Sequence, residues 1–472
     1  MTTPRYLTRR DFLGEASCAA VGTTALLSSL LSLRLTLGAA SASQTPASGY
    51  RALICLFLNG GNDSFNMLVP REQSAYDAYA VVRKNLGLPR DGVGGLLPIT
   101  VPTDGSSGSQ MFSEFGVHPD LPTLQQLFEV EKSAAFVANV GTLIEPMTVA
   151  EYNAGTKPAP PGLFSHADEV THWQTFVPQV RGGGPKGWAG RMADVMDGCN
   201  TTGKLAMNLS LSGKNVLQTG ASTVPYITDP SGAVQLTEYG ADPTAAAAID
   251  SFLSQQYRNL YQQTLAQSTA LANTTALDFQ AAVDPITTTT TFPDTQLGRQ
   301  LEMVCRVMAA RTPLGMERQI FFVQRGGWDH HSEVLNSQSE LFTEVDAALG
   351  AYWAELGVLG LQDDVVLFSA SDFARTLTSN GQGSDHAWGG NHFCIGGSVD
   401  GGRIYGDFPE LATGNALDLG RGRLLPSTPV DAYGAELAAW FGVPTAEMTT
   451  VFPNAENFFD PGTTPYPLGM LG

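Results

Sequence analysis

Gln319-Ile320-Phe321-Phe322-Val323-Gln324-Arg325-Gly326-Gly327-Trp328-Asp329-His330-His331 is the stretch on which the reading of this chain turns. Its first six residues are a nearly unbroken apolar run, which predicts a strand buried on both faces, as in parallel sheets. The strand runs into two glycines and then delivers a carboxylate and two imidazoles, side chains suited to placing ligands. On an extended backbone Asp329 and His331 share one side and His330 faces the other. One carboxylate and one imidazole on one side are two legs of a metal site. A capped turn with hydrogen-bonded histidines is the ordinary alternative for such a pair. Two other apolar strands end in the same way, and that tips the reading towards a site.

The first of these is Arg51-Ala52-Leu53-Ile54-Cys55-Leu56-Phe57-Leu58, which ends at Asn59-Gly60-Gly61-Asn62-Asp63-Ser64. The second is Asp364 to Ala370, which ends at Ser371-Asp372-Phe373-Ala374-Arg375, and a glycine-rich loop then brings Asp385-His386 and His392. The crevice beyond the carboxyl ends of parallel strands is where such sheets bind ligands. Asp63, Asp329 and Asp372 with His331, His386 and His392 are therefore the candidate metal ligands. Converging there, the carboxylates would repel one another without cations, unless they are solvated or paired with Arg325 and Arg375. Mixed oxygen and nitrogen donors suit zinc, manganese or iron better than calcium.

Ser133 to Val140 predicts a further strand, and a Pro/Gly-rich stretch leads from it to Phe164-Ser165-His166-Ala167-Asp168-Glu169. Ser165 ahead of acidic residues reads as a helix N-cap. Its other reading is a nucleophile at a helix N-terminus, where the macrodipole favours an anionic adduct. Residues 182–191 predict a turn leading into a helix that carries Arg191. Helical periodicity marks about 243–284, 295–311, 332–359 and 429–441. Residues 195–295 read as a helical and β insertion covering the sheet, and residues 43–472 as one α/β domain.

Thr8-Arg9-Arg10-Asp11-Phe12-Leu13-Gly14 resembles a twin-arginine export signal, with an apolar run to Ala40 and a small-residue cleavage site at Ala40-Ser41-Ala42. Arg34 interrupts the apolar run and argues against a stable membrane span. The expectation is a protein handled by the twin-arginine export machinery, periplasmic or extracellular, with residues 1–42 removed. The whole chain carries −19; the removed segment holds Arg5, Arg9, Arg10 and Arg34 against Asp11 and Glu15, or +2, which leaves −21. That balance argues against nucleic acid and acidic membrane surfaces as partners. Cys55, Cys199, Cys305 and Cys394 are scattered and make neither a zinc motif nor a disulfide scaffold.

Several of these pieces occur together in a known family. Arg9-Arg10, Gly60-Gly61-Asn62-Asp63, His118-Pro119, Ser165-His166, Gly187-Trp188-Ala189-Gly190-Arg191, Gly326 to His331, Ser371 to Arg375 and Asp385-His386 resemble the exported bacterial family called domain of unknown function 1501, grouped with the alkaline phosphatase and sulfatase superfamily. The resemblance implies an alkaline-phosphatase-like α/β fold with a mostly parallel central sheet flanked by helices. It implies divalent metal, with Asp63 as first ligand, Asp329 and His331 on one ion, Asp372 on another and His386 as the final histidine. Ser165 would be the nucleophile, with Arg375 or Arg191 neutralising a transferring phosphate or sulfate group carried by a small molecule or a polymer. Phe373 departs from that pattern, because the superfamily has a histidine there. Three functions follow: a hydrolase of phosphate or sulfate esters using Ser165, a hydrolase in which water takes the place of a protein nucleophile, or a non-catalytic exported binding or assembly protein.

Overall fold

The computed structural model describes residues 49–181, 186–196, 198–200, 205–233, 239 and 242–471. The export signal expected over residues 1–42 and the start of the 182–191 turn lie outside the described residues. The strands in chain order are β1 (Arg51–Asn59), β2 (Leu68–Pro70), β3 (Leu97–Thr100), β4 (Glu114–Val117), β5 (Ala134–Gly141), β6 (Asn208–Ser210), β7 (Tyr226–Ile227), β8 (Arg318–Gly326), β9 (Val365–Ser371), β10 (Gly390–Ile395), β11 (Ile404–Tyr405) and β12 (Thr428–Pro429).

Nine of them form one sheet in the order β11-β5-β10-β9-β1-β8-β6-β7, with β12 beside β5. β1 lies at its centre, parallel to both β8 and β9. β6, β7, β11 and β12 also pair in parallel, and only β10 runs antiparallel to its neighbours. The protein is thus a mixed α/β fold on a mostly parallel sheet. Strand alternation divides its apolar residues between two cores. Ala52, Ile54, Leu56 and Leu58 of β1 join Phe321 and Val323 of β8 and Leu367 of β9 on one face. Leu53, Cys55 and Phe57 join Phe322 and Phe368 on the other. Helices Gln296–Ala309 and Val334–Leu359 cover the first face, and Trp188–Val195 and Val430–Phe441 the second. The unbroken apolar runs of β1, β8 and β9 are explained by this burial from both sides.

Two features depart from the sequence reading. Between residues 68 and 117, where the sequence reading places no strand, the chain carries a separate three-stranded antiparallel sheet, β2-β4-β3. Within the 195–295 stretch, β6 and β7 extend the edge of the main sheet beyond β8, and the helices Pro243–Leu253 and Leu260–Val283 follow. Among the described residues no helix is long and apolar enough to cross a membrane, and Cys55, Cys305 and Cys394 are buried free thiols.

Candidate metal centre

The carboxyl ends of β1, β8 and β9 lie side by side, so the loops that follow them converge. Gly60 and Gly61 make that convergence possible. Both have positive φ (123° and 85°), and a Cβ at Gly60 would sit 2.6 Å from the Asp329 nitrogen and one at Gly61 2.4 Å from the Phe373 ring. Only glycine lets the β1 loop pass between the other two.

Arg375 ties these loops together. It is fully buried and donates to the carbonyls of Gly61 (2.9 Å), Gly60 (2.8 Å), Ser384 (3.0 Å) and Trp328 (3.2 Å), and it also pairs with the Asp329 carboxylate. The guanidinium is spent on the framework, so Arg375 positions Asp329 and the backbone. Burial opposes the Asp329 charge, yet the Arg375 hydrogen bond and charge, with His166 and His331, hold its carboxyl down at about 2.

Three imidazoles meet at Asp329. His331 Nε2 lies 3.1 Å and His386 Nε2 3.2 Å from Asp329 Oδ1, and His166 Nε2 lies 3.3 Å from Oδ2. Each ring has its other nitrogen engaged by an acceptor. His166 Nδ1 donates to Asp372 at 2.7 Å, His386 Nδ1 to the Phe164 carbonyl at 2.7 Å, and His331 Nδ1 to Asp385 at 3.3 Å. In the neutral rings this fixes the proton on Nδ1 and leaves the Nε2 lone pairs pointing at one another; those of His331 and His386 are 2.9 Å apart. Such an arrangement calls for a positive charge among the three rings and the carboxylate. Asp372, against the opposing effect of burial, raises the proton affinity of His166, whereas burial lowers that of His386. His166, Asp329 and His386 each offer a ligand atom, all within 4.8 Å of one another. Metal-bound histidines ordinarily have this outer hydrogen bond, so the donor set fits a divalent ion.

The helix that supplies His166 begins with it, and Ser165 is the N-cap residue. Phe164, just before, adopts φ 70°, unusual for a bulky residue, and this turn aims its carbonyl at His386. Ser165 makes no side-chain capping bond to the helix backbone. Paired with Arg181 and with the Ser165 hydroxyl nearby, the Asp168 carboxyl is held below its ordinary range. Phe373 packs its ring 4.8 Å from that of His166 and 4.5 Å from that of His386, forming the apolar floor of the centre.

Of the residues expected from sequence, Asp329, His331 and His386 meet directly. Asp372 stands one step out, holding His166 and accepting from the Gly60 N–H at 2.9 Å. Asp63 is fully buried in an ion pair with Arg83, itself fully buried. His392 lies on β10 with its ring buried in the core, 4.6 Å from the Trp173 ring and near Tyr433, and burial pushes its pKa down to about 3. Arg191 donates to the carbonyls of Val451 (2.8 Å) and Thr175 (2.7 Å) and to that of Lys186. Sequence reasoning left His166 out of the ligands because it stood beside the more conspicuous Ser165. Asp385, directly before His386, was the available sign of an orienting carboxylate.

His392 provides a pH test. Its folded pKa lies below the ordinary value of about 6.5, so below pH 6.5 the unfolded chain binds the extra proton. Its contribution is therefore fully present above that pH and is lost progressively as pH falls towards about 3. His392→Phe should leave metal content unchanged and reduce the loss of stability between pH 6.5 and 4, as read by urea unfolding. A drop in metal content would return His392 to the site.

Fold and centre together define an α/β protein with a histidine-rich, carboxylate-anchored cluster at the carboxyl ends of its central strands. The chain belongs to the family described as "Protein of unknown function (DUF1501)", which it matches over residues 50–421. Among curated proteins none matches it. Among solved structures, the lipoteichoic acid synthase LtaP from Listeria monocytogenes is similar to it at 9% identity, over 81% of this chain and 77% of that one, with a TM-score of 0.30. So loose a likeness carries no argument about the site.

Proposed function

We propose that the protein is an exported metal-dependent hydrolase acting on phosphate or sulfate esters, with His166, Asp329, His331 and His386 holding one divalent ion, zinc, manganese or iron. The observation that carries this reading is the convergence of three Nε2 atoms on Asp329, with each Nδ1 already committed to an acceptor. A bound ion would supply Lewis acidity, drawing charge from an ester oxygen and easing deprotonation of the attacking group. The chain's own residues fix the geometry: Asp372, Asp385 and the Phe164 carbonyl orient the rings, and Arg375 anchors the carboxylate. Phe373 keeps water from the underside of the centre.

Ser165 separates two versions of this chemistry. Ser165 is the N-cap residue of the helix that begins at His166, and we read it as a helix-start residue, with water as nucleophile. Ser165→Asn keeps a capping side chain and removes the hydroxyl. Turnover within about threefold of wild type is expected, whereas a covalent mechanism requires a loss of several orders of magnitude.

The reading itself is tested by loading purified protein with zinc or manganese, dialysing, and measuring metal content and turnover of aryl phosphate and aryl sulfate esters. About one ion per chain with turnover supports it. An ion without turnover favours the second reading, an exported binding protein that keeps the centre; that reading is favoured by Arg375, which already offsets the Asp329 charge. No bound ion overturns both.

A further inference from the structure

We infer that Arg421 and Arg423 form a two-guanidinium rim that captures the oxyanion of the substrate beside the metal centre. The inference rests on the hydrolase reading above and adds to it the residues that recognise negative charge. Neither arginine serves the centre's ligands directly, and each stands one residue outside a different histidine. Arg421 pairs with Oδ2 of Asp385, whose other oxygen holds His331. Arg423 places its guanidinium 5.0 Å from the ring centre of Phe164, whose carbonyl holds His386. One short loop thus brings two guanidiniums against Asp385 and Phe164, the residues that orient two of the rings that would carry the ion.

The loop is built to present them. The Asp418 carboxylate gathers the N–H groups of Gly420 (2.7 Å) and Gly422 (2.8 Å), and an isolated bridge joins Asp418 to Leu424. On its other side Leu377 N–H donates to the Gly422 carbonyl at 3.1 Å and the Thr378 hydroxyl to the Arg421 carbonyl at 2.9 Å. Arg421 is held at φ 64°, a conformation non-glycine residues seldom adopt. With 53% of its side chain exposed, Arg421 has guanidinium surface to offer beyond the Asp385 contact. Stacking on Phe164 leaves the in-plane N–H edge of Arg423 available; among the described residues only its Nε has a partner, the Gly420 carbonyl at 3.2 Å.

Charge supplies the need for such a rim. The chain carries −19, and Asp329, Asp372 and Asp385 crowd the centre, so an anionic ester approaching it meets repulsion. Arg375 cannot relieve this, since its donors are spent on the framework. Planar guanidinium groups match the geometry of phosphate and sulfate oxygens. Arg421 and Arg423 are positioned to do what Arg375 and Arg191 cannot.

The test uses Arg421→Gln, Arg423→Gln and the double variant, each loaded with zinc. Metal content is measured first, then the affinity for inorganic sulfate and inorganic phosphate by calorimetry, and KM and kcat for the aryl esters. The expected result is unchanged metal content, anion affinity weakened about tenfold or more in the double variant, and a rise in KM larger than any fall in kcat. The Arg421→Lys, Arg423→Lys pair should restore part of the affinity, because charge returns without the planar fork. Anion affinity in the zinc-loaded double variant within twofold of wild type overturns the inference and leaves the metal reading intact. So does a zinc-loaded wild type that binds neither anion. A wild type that retains no metal overturns the hydrolase reading first, and is recognised by the metal measurement alone.

Discussion

Arg83→Ala is expected to lower stability by about 3–5 kcal/mol at neutral pH, measured by urea unfolding. Arg83 and Asp63 are both wholly buried, and the guanidinium also donates to Asn66 Oδ1 (3.2 Å) and to the carbonyls of Thr376 (3.0 Å) and Leu377 (3.3 Å). Removing it leaves a carboxylate in the interior with no counter-charge, and three acceptors lose a donor. Desolvation makes that loss larger than the net worth of the pair when intact. Asp63→Asn in the Arg83→Ala background should recover part of the stability, because the stranded charge is gone. Metal content of the folded fraction should stay at the wild-type level in both variants. An Asp63→Asn protein that folds normally and has lost its ion would restore Asp63 as a ligand, and would contradict the assignment of Arg83 as its counter-charge.

His386→Ala should reduce affinity for zinc or manganese by about 100-fold or more and abolish ester turnover with it. Loss of an outer partner of a metal-bound histidine already costs roughly 10–100-fold, so loss of the ring itself should cost at least as much. Asp372→Ala is the graded companion: it removes the acceptor that orients His166 at 2.7 Å, and about 10–100-fold is expected. His330→Ala should leave affinity within a fewfold, since His330 is buried beside Trp328 and makes no bond to the cluster. Competition against a chromophoric chelator reads all three. Equal affinities for His386→Ala and His330→Ala would remove the basis for the centre.

These contrasts bear on how far a chain can be read before its fold is known. Asp329 and His331 do meet, as strand alternation suggested, although β8 ends at Gly326 and the residues after it are not strand. The agreement comes from the tight turn around Trp328, where His330 N–H donates to the Trp328 carbonyl at 2.9 Å, and not from a continued pleat. For His392 the same style of reasoning reached the wrong side of the sheet wall. A histidine next to a loop and on a strand looks alike in sequence whether it faces a crevice or a core; Trp173 and Tyr433 decided it. The three-stranded β2-β4-β3 sheet was missed because its strands are three or four residues long and separated by polar, glycine-rich chain.

What the sequence by itself determined is the architecture around the site. The apolar runs of β1, β8 and β9 are too uniform for a one-sided sheet, and each ends in glycine or polar residues that must leave it at the same edge. That much follows from local periodicity, because burial on both faces is a property of each strand. Which charges meet at that edge was decided by tertiary structure alone. Arg83 reaches Asp63 from a helix and Arg375 knots loops that are far apart in the chain. His166 enters from a helix start to lie between Asp372 and Asp329. Pairing of this kind depends on the distance and direction of side chains brought from separate elements, and no local pattern encodes either.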